Sequence, residues 1–552
     1  MFSFNLKPVA VIKTALYLTL IFGLNWCYAQ ESPDPMFAFV QNIKGKSAMA
    51  APKEYKYKVA REVFDKLLQA RGDFRQAAPG FTMNNGEQFV AWMNPKEVQI
   101  GIEEKAYDIC IGFGADSLNA LAALISHELV HYFEKHDWNR HFASQNKQLE
   151  TTKKIDDLSL SEGIKHEAQA DYLGGFLAHT AGYQVTGLMP HLLAKVYAAY
   201  QLPPQINGYP SLEDRVAISR NTMEQLKQLV VVYETAGLLS LTGQYEDASR
   251  YYQHILKDFP SREIYNNAGV NLMLAASSYF SPKEMPFLLP LELDAQSRLF
   301  GQKSVDPERL QARENLLREA IRYLDQALLL DPSYPPAYLN KAVAFILINQ
   351  PDDAEYVLRK GRKASAEFNH ADFKVAEGLI ANLRNETDQV IRLFEEASGL
   401  GSAIASFNLN VIKGVPETNP PPTKRSGVDK IESILLDHFL TSPEFDLEID
   451  LGKGIYNYEK RFYNSRILIH SADLNRRYAF FHLCETGCTD KTRFESGIGS
   501  QLKDLISSHG ISTKLLSLPD GQFIVYPVHN LFYRLDSNQK VISWGAYRLS
   551  DY

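Results

Sequence analysis

The chain of 552 residues is poor in cysteine, with four in all, and has no excess of positive charge. Cys27 lies in an N-terminal segment expected to be removed, so Cys110, Cys484 and Cys488 remain, enough for one disulfide and one leftover thiol. The net charge of −7 provides no basic field to draw the protein to nucleic acid. Past the N-terminal segment no stretch approaches the roughly 18 uninterrupted apolar residues of a membrane span, so the mature chain is expected to be soluble. What is present is ordinary for globular proteins: 45% hydrophobic and 22% charged residues, ample for several cores. At roughly 150 residues per domain, three or four domains are expected.

The first 29 residues have the layout of a secretory signal peptide: Lys7 and Lys13, an apolar run from Thr14 to Gly23, then Cys27-Tyr28-Ala29 before a cut at Gln30. An uncleaved anchor and a lipoprotein at Cys27 are the alternatives, and bulky Trp26 speaks against the second. Export predicts a periplasmic or extracellular location, where a disulfide persists. The Cys484-x-x-x-Cys488 pair is the candidate disulfide; metal binding together with His482, or free thiols, are the other readings. Cys110 reads as an inert packed residue.

Helical spacing is clear from Glu54 to Arg71, with Val59, Val63, Leu67 and Leu68 on one side. Period-two stretches at 89–92, 97–102 and 107–113 predict a small sheet, the last strand carrying Tyr107, Ile109, Ile111 and Phe113 on one face. A helix capped by Asp116 or Ser117 is predicted to run to about Lys135, and a second from an N-cap near Ser159 or Ser161 to about Ala181. From about Val230 to Lys413 the pattern becomes helical pairs. Leu239, Gly243, Tyr245, Ala248, Tyr252, Leu256 and Pro260 have tetratricopeptide spacing. Ala320, Leu324, Ala327, Leu328 and Pro332 repeat its second half, with looser units around Tyr338, Ala342 and Ala354, and around Gly378, Phe394 and Ala397. A segment from about Ser277 to Asp306, with Pro282, Pro286 and Pro290, interrupts the array. Residues 416–427 have linker composition, and the remainder, a helix over 429–440 followed by strands, shows no catalytic motif.

Chemistry concentrates in His127-Glu128-Leu129-Val130-His131. Four residues are slightly more than one helical turn, so both imidazoles leave one face and can hold one zinc ion. Glu128, beside the first ligand, is the candidate general base and acid. The extended histidine motif of metzincins is missing, since Glu134 and Asp137 occupy its later positions. The second helix offers Glu167 as third ligand, with Asp171 one turn on to accept the free ring N–H of a ligand histidine. Small Ala168, Ala170, Gly174 and Gly175 permit this helix to approach the first. His136, His141, His166 and His179 read as non-ligands.

With Glu167-x-x-Ala170-Asp171 following the first motif, the chain resembles the gluzincin metallopeptidases of the HtpX and CAAX-prenyl-endopeptidase family. Tyr209-Pro210-Ser211-Leu212-Glu213-Asp214-Arg215-Val216 is similar to that family's His-Pro-x-x-x-x-Arg-hydrophobic segment. The likeness covers roughly Glu54 to Leu226, and the absence of later membrane spans makes it more similar to soluble periplasmic members of the BepA type, which add tetratricopeptide repeats. The family's histidine before proline is Tyr209 here. That residue reads either as a packed aromatic, the favoured reading, or as a hydrogen-bond donor to a developing oxyanion.

The expected architecture is multidomain and mainly α. It comprises a signal peptide over 1–29, an α+β gluzincin peptidase domain over 30–228, an α-helical tetratricopeptide-like array over 229–414, a linker over 415–427 and a C-terminal α+β domain over 428–552. The expected function is zinc-dependent endopeptidase action on envelope or extracellular proteins, with one zinc per chain and repeats that recruit a protein substrate or an envelope partner. A strand such as 107–113 would pair with extended substrate. The alternative is a repeat-based binding scaffold or envelope assembly chaperone with a little-used zinc site.

Overall fold

The computed structural model describes residues 53–550 apart from 95–96, 135–151, 205–210, 282, 292–296, 299–306, 366–367, 369, 416–428, 433, 435–443, 473–476, 511–513, 519–520 and 537. The expected signal peptide, His136, His141, Tyr209 and nearly all of the expected linker therefore lie outside the described residues. The described chain is mostly helical, with a separate β-sheet unit at its C-terminal end.

The N-terminal unit opens with α1 (Glu54–Ala70), whose inward seam is Ala60, Val63, Phe64 and Leu67. A three-stranded sheet follows, β1 (Gly80–Asn84), β2 (Ala91–Asn94) and β3 (Gln99–Glu103), in the order β1-β3-β2 with β1 parallel and β2 antiparallel to β3. The strand expected over 107–113 is instead a helix, α2 (Glu104–Ile111). Its buried residues are Ala106, Tyr107 and Cys110, a helical spacing, while Ile111 points outward. Apolar residues at every second position satisfied both periods, and burial selected the helical one. Glu103 ends β3 fully buried, and its carboxylate accepts the backbone N–H groups of Gln88, Phe89 and Val90.

α3 (Ser117–Phe133) is buried from Ala120 to His131, the pattern of a central helix enclosed on all sides. A 3-10 turn over Gly114–Asp116 leads into it, and no side-chain hydrogen bond caps it. α4 (Thr152–Thr180) lies against it and starts earlier than the predicted cap, with Ser159 and Ser161 inside the helix. α5 (Leu188–Tyr200) and α6 (Leu212–Thr242) complete this unit. α6 runs 31 residues without a break through the boundary expected at 228–229, so the N-terminal unit and the first repeat share one helix.

The array proceeds as helical hairpins: α6 with α7 (Tyr245–Ile255), α8 (Arg262–Ser277) with α9 (Pro307–Leu330), α10 (Pro335–Leu347) with α11 (Pro351–Ala364), and α12 (His370–Leu383) with α13 (Thr387–Gly399), closed by α14 (Ala403–Ile412). The repeat residues Leu239, Ala248, Tyr252, Ala320, Leu324, Ala327, Ala342, Ala354, Phe394 and Ala397 are all buried between helices. Backbone ties join the N-terminal unit to the array: Phe74 N–H donates to Leu330 O at 2.9 Å and Arg262 N–H to Gly72 O at 2.8 Å.

The C-terminal unit supplies eight strands of a nine-stranded sheet in the order β4-β9-β10-β11-β12-β8-β7-β6-β5, and the edge strand β4 comes from the connection between α8 and α9. The strands are β4 (Ser297–Arg298), β5 (Leu447–Gly452), β6 (Ile455–Arg461), β7 (Ser465–Ala472), β8 (Arg477–Cys484), β9 (Lys514–Leu518), β10 (Gly521–Tyr526), β11 (Leu531–Leu535) and β12 (Val541–Leu549). The β5–β6 hairpin and α15 (Leu502–His509) are absent from the sequence expectation, and the helix expected over 429–440 is not formed where described: Ile431 and Ile434 make an isolated bridge. Cys484 and Cys488 form a disulfide. His482, read as a possible metal partner of these cysteines, faces the Ser465 hydroxyl at 3.2 Å.

The sequence suggests a C-terminal unit carried loosely on its linker, yet this sheet is docked on α6 and α7 through buried polar contacts. Asn457 donates to Thr235 Oγ1 at 3.1 Å and to Val231 O at 3.4 Å. Tyr251 OH and His470 Nδ1 are 3.0 Å apart, and His470 Nε2 lies 3.1 Å from Asp247. Arg466 joins Glu234 at 2.7 Å and Glu485 at 2.6 Å. Linker composition carries no information about a distant docking face.

Candidate metal centre

The centre is built where α3 and α4 cross. A Cβ on Gly174 would lie 3.0 Å from both the His127 nitrogen and the Ser126 carbonyl carbon, so glycine is what permits this approach. Gly175 serves a different neighbour, because a Cβ there would meet Leu226 of α6. Glu167, Asp171 and Gly174 share one face of α4 at positions i, i+4 and i+7, and this face is turned onto the two histidines.

His127 Nε2 and His131 Nε2 are 3.0 Å apart. Glu167 brings Oε2 to 3.3 Å from His127 Nε2 and Oε1 to 3.6 Å from His131 Nε2. A tetrahedral ion that holds its donors at about 2.0–2.1 Å separates neighbouring donors by about 3.3 Å, so donor spacings of 3.0, 3.3 and 3.6 Å are of the size such a shell requires. Glu167 Oε1 is buried and accepts no hydrogen bond, as a carboxylate oxygen reserved for a metal would be. Nitrogen and oxygen donors in a two-histidine, one-carboxylate set suit a divalent transition-metal ion. Among the described residues, no other group of three histidine, cysteine or acidic side chains converges in this way.

Asp171 Oδ1 lies 2.9 Å from His127 Nδ1. With Nδ1–H donating there, the Nε2 lone pair is left facing Glu167 and His131. Arg215 holds both carboxylates from α6: Nε donates to Glu167 at 3.2 Å, and the two terminal nitrogens donate to Asp171 at 2.6 and 2.8 Å. The Ser211 hydroxyl caps α6 by accepting from Asp214 N–H, which sets Arg215 in the first turns. All three of Glu167, Asp171 and Arg215 are at most 1% exposed.

Burial works against charge throughout this cluster, and the pairing overrides it. Desolvation alone would lower His127, but the hydrogen bonds it donates to the Asp171 and Glu167 carboxylates raise it to about 10. Desolvation would raise the carboxylates, yet Arg215 and the histidines hold Glu167 well below its usual range and Asp171 at about 2. Two carboxylates thus face one guanidinium. One negative charge is left over, to be balanced by a proton on His127 or by a cation between the ring nitrogens.

Glu128 is buried beside the first histidine, at 4% exposure. His179 is away from the centre, ringed by Phe176 and Tyr233, and neither His166 nor His179 joins the converging group. Sequence reasoning missed the part played by Arg215, although two buried carboxylates one turn apart demand a cation nearby. It also missed Tyr197 of α5, a buried phenol raised by desolvation and acted on by the charges of Arg215 and Glu167. Cys110 is buried in α2, which pushes its thiol up to about 12 and makes it unreactive.

No protein-family model matches this sequence. No curated protein matches it either. Among solved structures, one match is the "TPR2AB-domain:pHSP90-complex of yeast Sti1", at 15% identity, covering 63% of this chain and 100% of that chain with a TM-score of 0.16. A likeness that slight carries no argument. The helical repeats therefore stand on the hairpins themselves, and the resemblance to gluzincins rests on the motif residues alone.

Proposed function

We propose that the chain is a secreted or periplasmic zinc-dependent endopeptidase of the gluzincin type, hydrolysing peptide bonds of envelope or extracellular proteins, with a repeat array that engages a protein substrate or partner. The convergence of His127, His131 and Glu167 around one point, with Glu128 between the histidines in sequence, carries this reading. In it the two Nε2 atoms and a Glu167 oxygen hold the ion, and the bound zinc supplies Lewis acidity. Asp171 orients His127, and Arg215 keeps both carboxylates ionised. Glu128 takes a proton from water and returns it to the leaving amine.

The burial of all three ligands favours a second reading, a binding scaffold or assembly chaperone whose metal is held and seldom used. One experiment separates the two. Purified mature protein is assayed for zinc by mass spectrometry and for casein digestion, beside Glu128→Gln and Glu167→Ala. The enzyme reading expects one zinc per parent chain and cleavage that falls at least about 100-fold in Glu128→Gln with zinc retained. It expects zinc to be lost in Glu167→Ala. Zinc-loaded parent protein that cuts nothing, or cleavage unchanged in Glu128→Gln, overturns it.

A further inference from the structure

The hairpins of the array close with two or three residues: 243–244 between α6 and α7, 348–350 between α10 and α11, and 384–386 between α12 and α13. Between α8 and α9 the connection runs from 278 to 306. An αα-hairpin needs only a short loop; Ser297–Arg298 near the far end of this connection pairs with β9 of the sheet, and the nearer part is what remains to be accounted for. Part of it, Met285–Leu291 (MPFLLPL), has no regular secondary structure and lies on helices of later repeats.

Asn408 of α14 meets the main chain of this segment twice. Leu288 N–H donates to Asn408 Oδ1 at 2.7 Å, and Asn408 Nδ2 donates to Leu288 O at 3.1 Å. Asn408 is fully buried, so its carboxamide is set in place to read a backbone rather than a particular side chain. Phe287 meets the Phe394 ring edge-on at 5.9 Å, and Phe394 is seated against Gly378, where a Cβ would lie 2.4 Å from its ring. Leu289 and Leu291 are buried as well. Main-chain recognition combined with apolar seats for alternate side chains is how folded domains take up extended peptides.

We propose that the face of the array around Phe394 and Asn408 is a binding surface for extended, apolar, proline-containing segments of unfolded client proteins. Met285–Leu291 occupies it as an intramolecular stand-in that a client segment displaces. This inference does not depend on the metal centre.

The test uses the full mature chain and a fluorescein-labelled peptide of sequence Lys283–Leu291. Phe287→Ser, Leu289→Ser and Leu291→Ser together should loosen the resident segment, and this variant should bind the peptide at least tenfold more tightly than the parent does. Adding Asn408→Ala, or methylating the peptide nitrogen of Leu288, should each weaken binding tenfold or more. No binding by a triple variant of unchanged helicity, or indifference to the N-methyl group, overturns the proposal. Should the triple variant fail to fold, the parent is titrated with reduced, carboxymethylated α-lactalbumin while amide exchange is followed. Exchange at Leu288 and Leu289 should accelerate, and unchanged exchange at saturation overturns the proposal equally.

Discussion

Arg215 and Asp171 form a two-pronged ion pair, at 2.6 and 2.8 Å, inside a cluster that solvent barely reaches. The same guanidinium also touches Glu167, so one side chain from α6 fixes the charge state of both acidic residues on α4. Replacing Arg215 with methionine keeps the bulk and removes the charge. In metal-free protein this should cost about 3–5 kcal/mol, because two buried carboxylates lose their cation. With zinc bound the cost should be smaller, since the ion balances part of that charge. Urea unfolding with and without zinc checks it, and an equal loss in both forms contradicts the charge argument.

Asp171→Asn should weaken zinc without removing it, by about 10–100-fold, since losses behind a ligand histidine are typically of that size. Chelator competition gives the affinity. Unchanged affinity would mean that the 2.9 Å contact with His127 Nδ1 does not orient the ring for the metal.

The pH dependence of metal binding follows from His127, whose folded value is raised from 6.5 to about 10. For a raised group, the stabilisation of the metal-free fold is fully present below the unfolded value and is lost as pH rises through the folded one. Between these limits zinc must displace the proton, so the logarithm of its affinity should rise by about one for each pH unit. Calorimetry in buffers of differing ionisation heat should show a proton released for each ion bound between pH 7 and 9. Binding with no proton release would place the resting proton elsewhere.

The docked sheet gives a fourth expectation. With a specific protease site inserted between Thr418 and Ser426 and cleaved, the two parts of the parent should still co-elute on gel filtration. Arg466→Ala with His470→Ala should separate them, because Glu234 and Asp247 then lose their buried partners. Separation in the parent would show that these contacts do not hold the sheet in place.

The arrangement of the centre was largely legible in the sequence because its geometry is local: His127 with His131, and Glu167 with Asp171, each lie one helical turn apart. Arg215 stands out in the sequence only as part of a motif; its pairing with Glu167 and Asp171 depends on how α6 packs, which no short spacing encodes. The repeat interior was readable for the same local reason, with small residues such as Ala248 and Ala320 at fixed offsets. The error at 107–113 arose where apolar residues satisfied two periods at once. The C-terminal sheet was the least legible part. The β5–β6 hairpin carries exposed acidic residues such as Glu448 and Asp450. Its place in the sheet is set by β7, whose pairing is not a property of its own composition.

The seam between α6, α7 and the sheet joins residues far apart along the chain: Tyr251 and His470 are separated by 219 positions, and Val231 and Asn457 by 226. At about 5–20 residues added per second, the first partner waits roughly 10–45 s for the second to be made. Throughout that interval the faces of α6 and α7 that will receive the sheet have nothing to cover them. The newborn chain thus passes through a stage in which its repeats are adhesive in the wrong places, and chains that end before Leu447 never leave that stage. Such truncated chains are expected to aggregate more readily than the full chain.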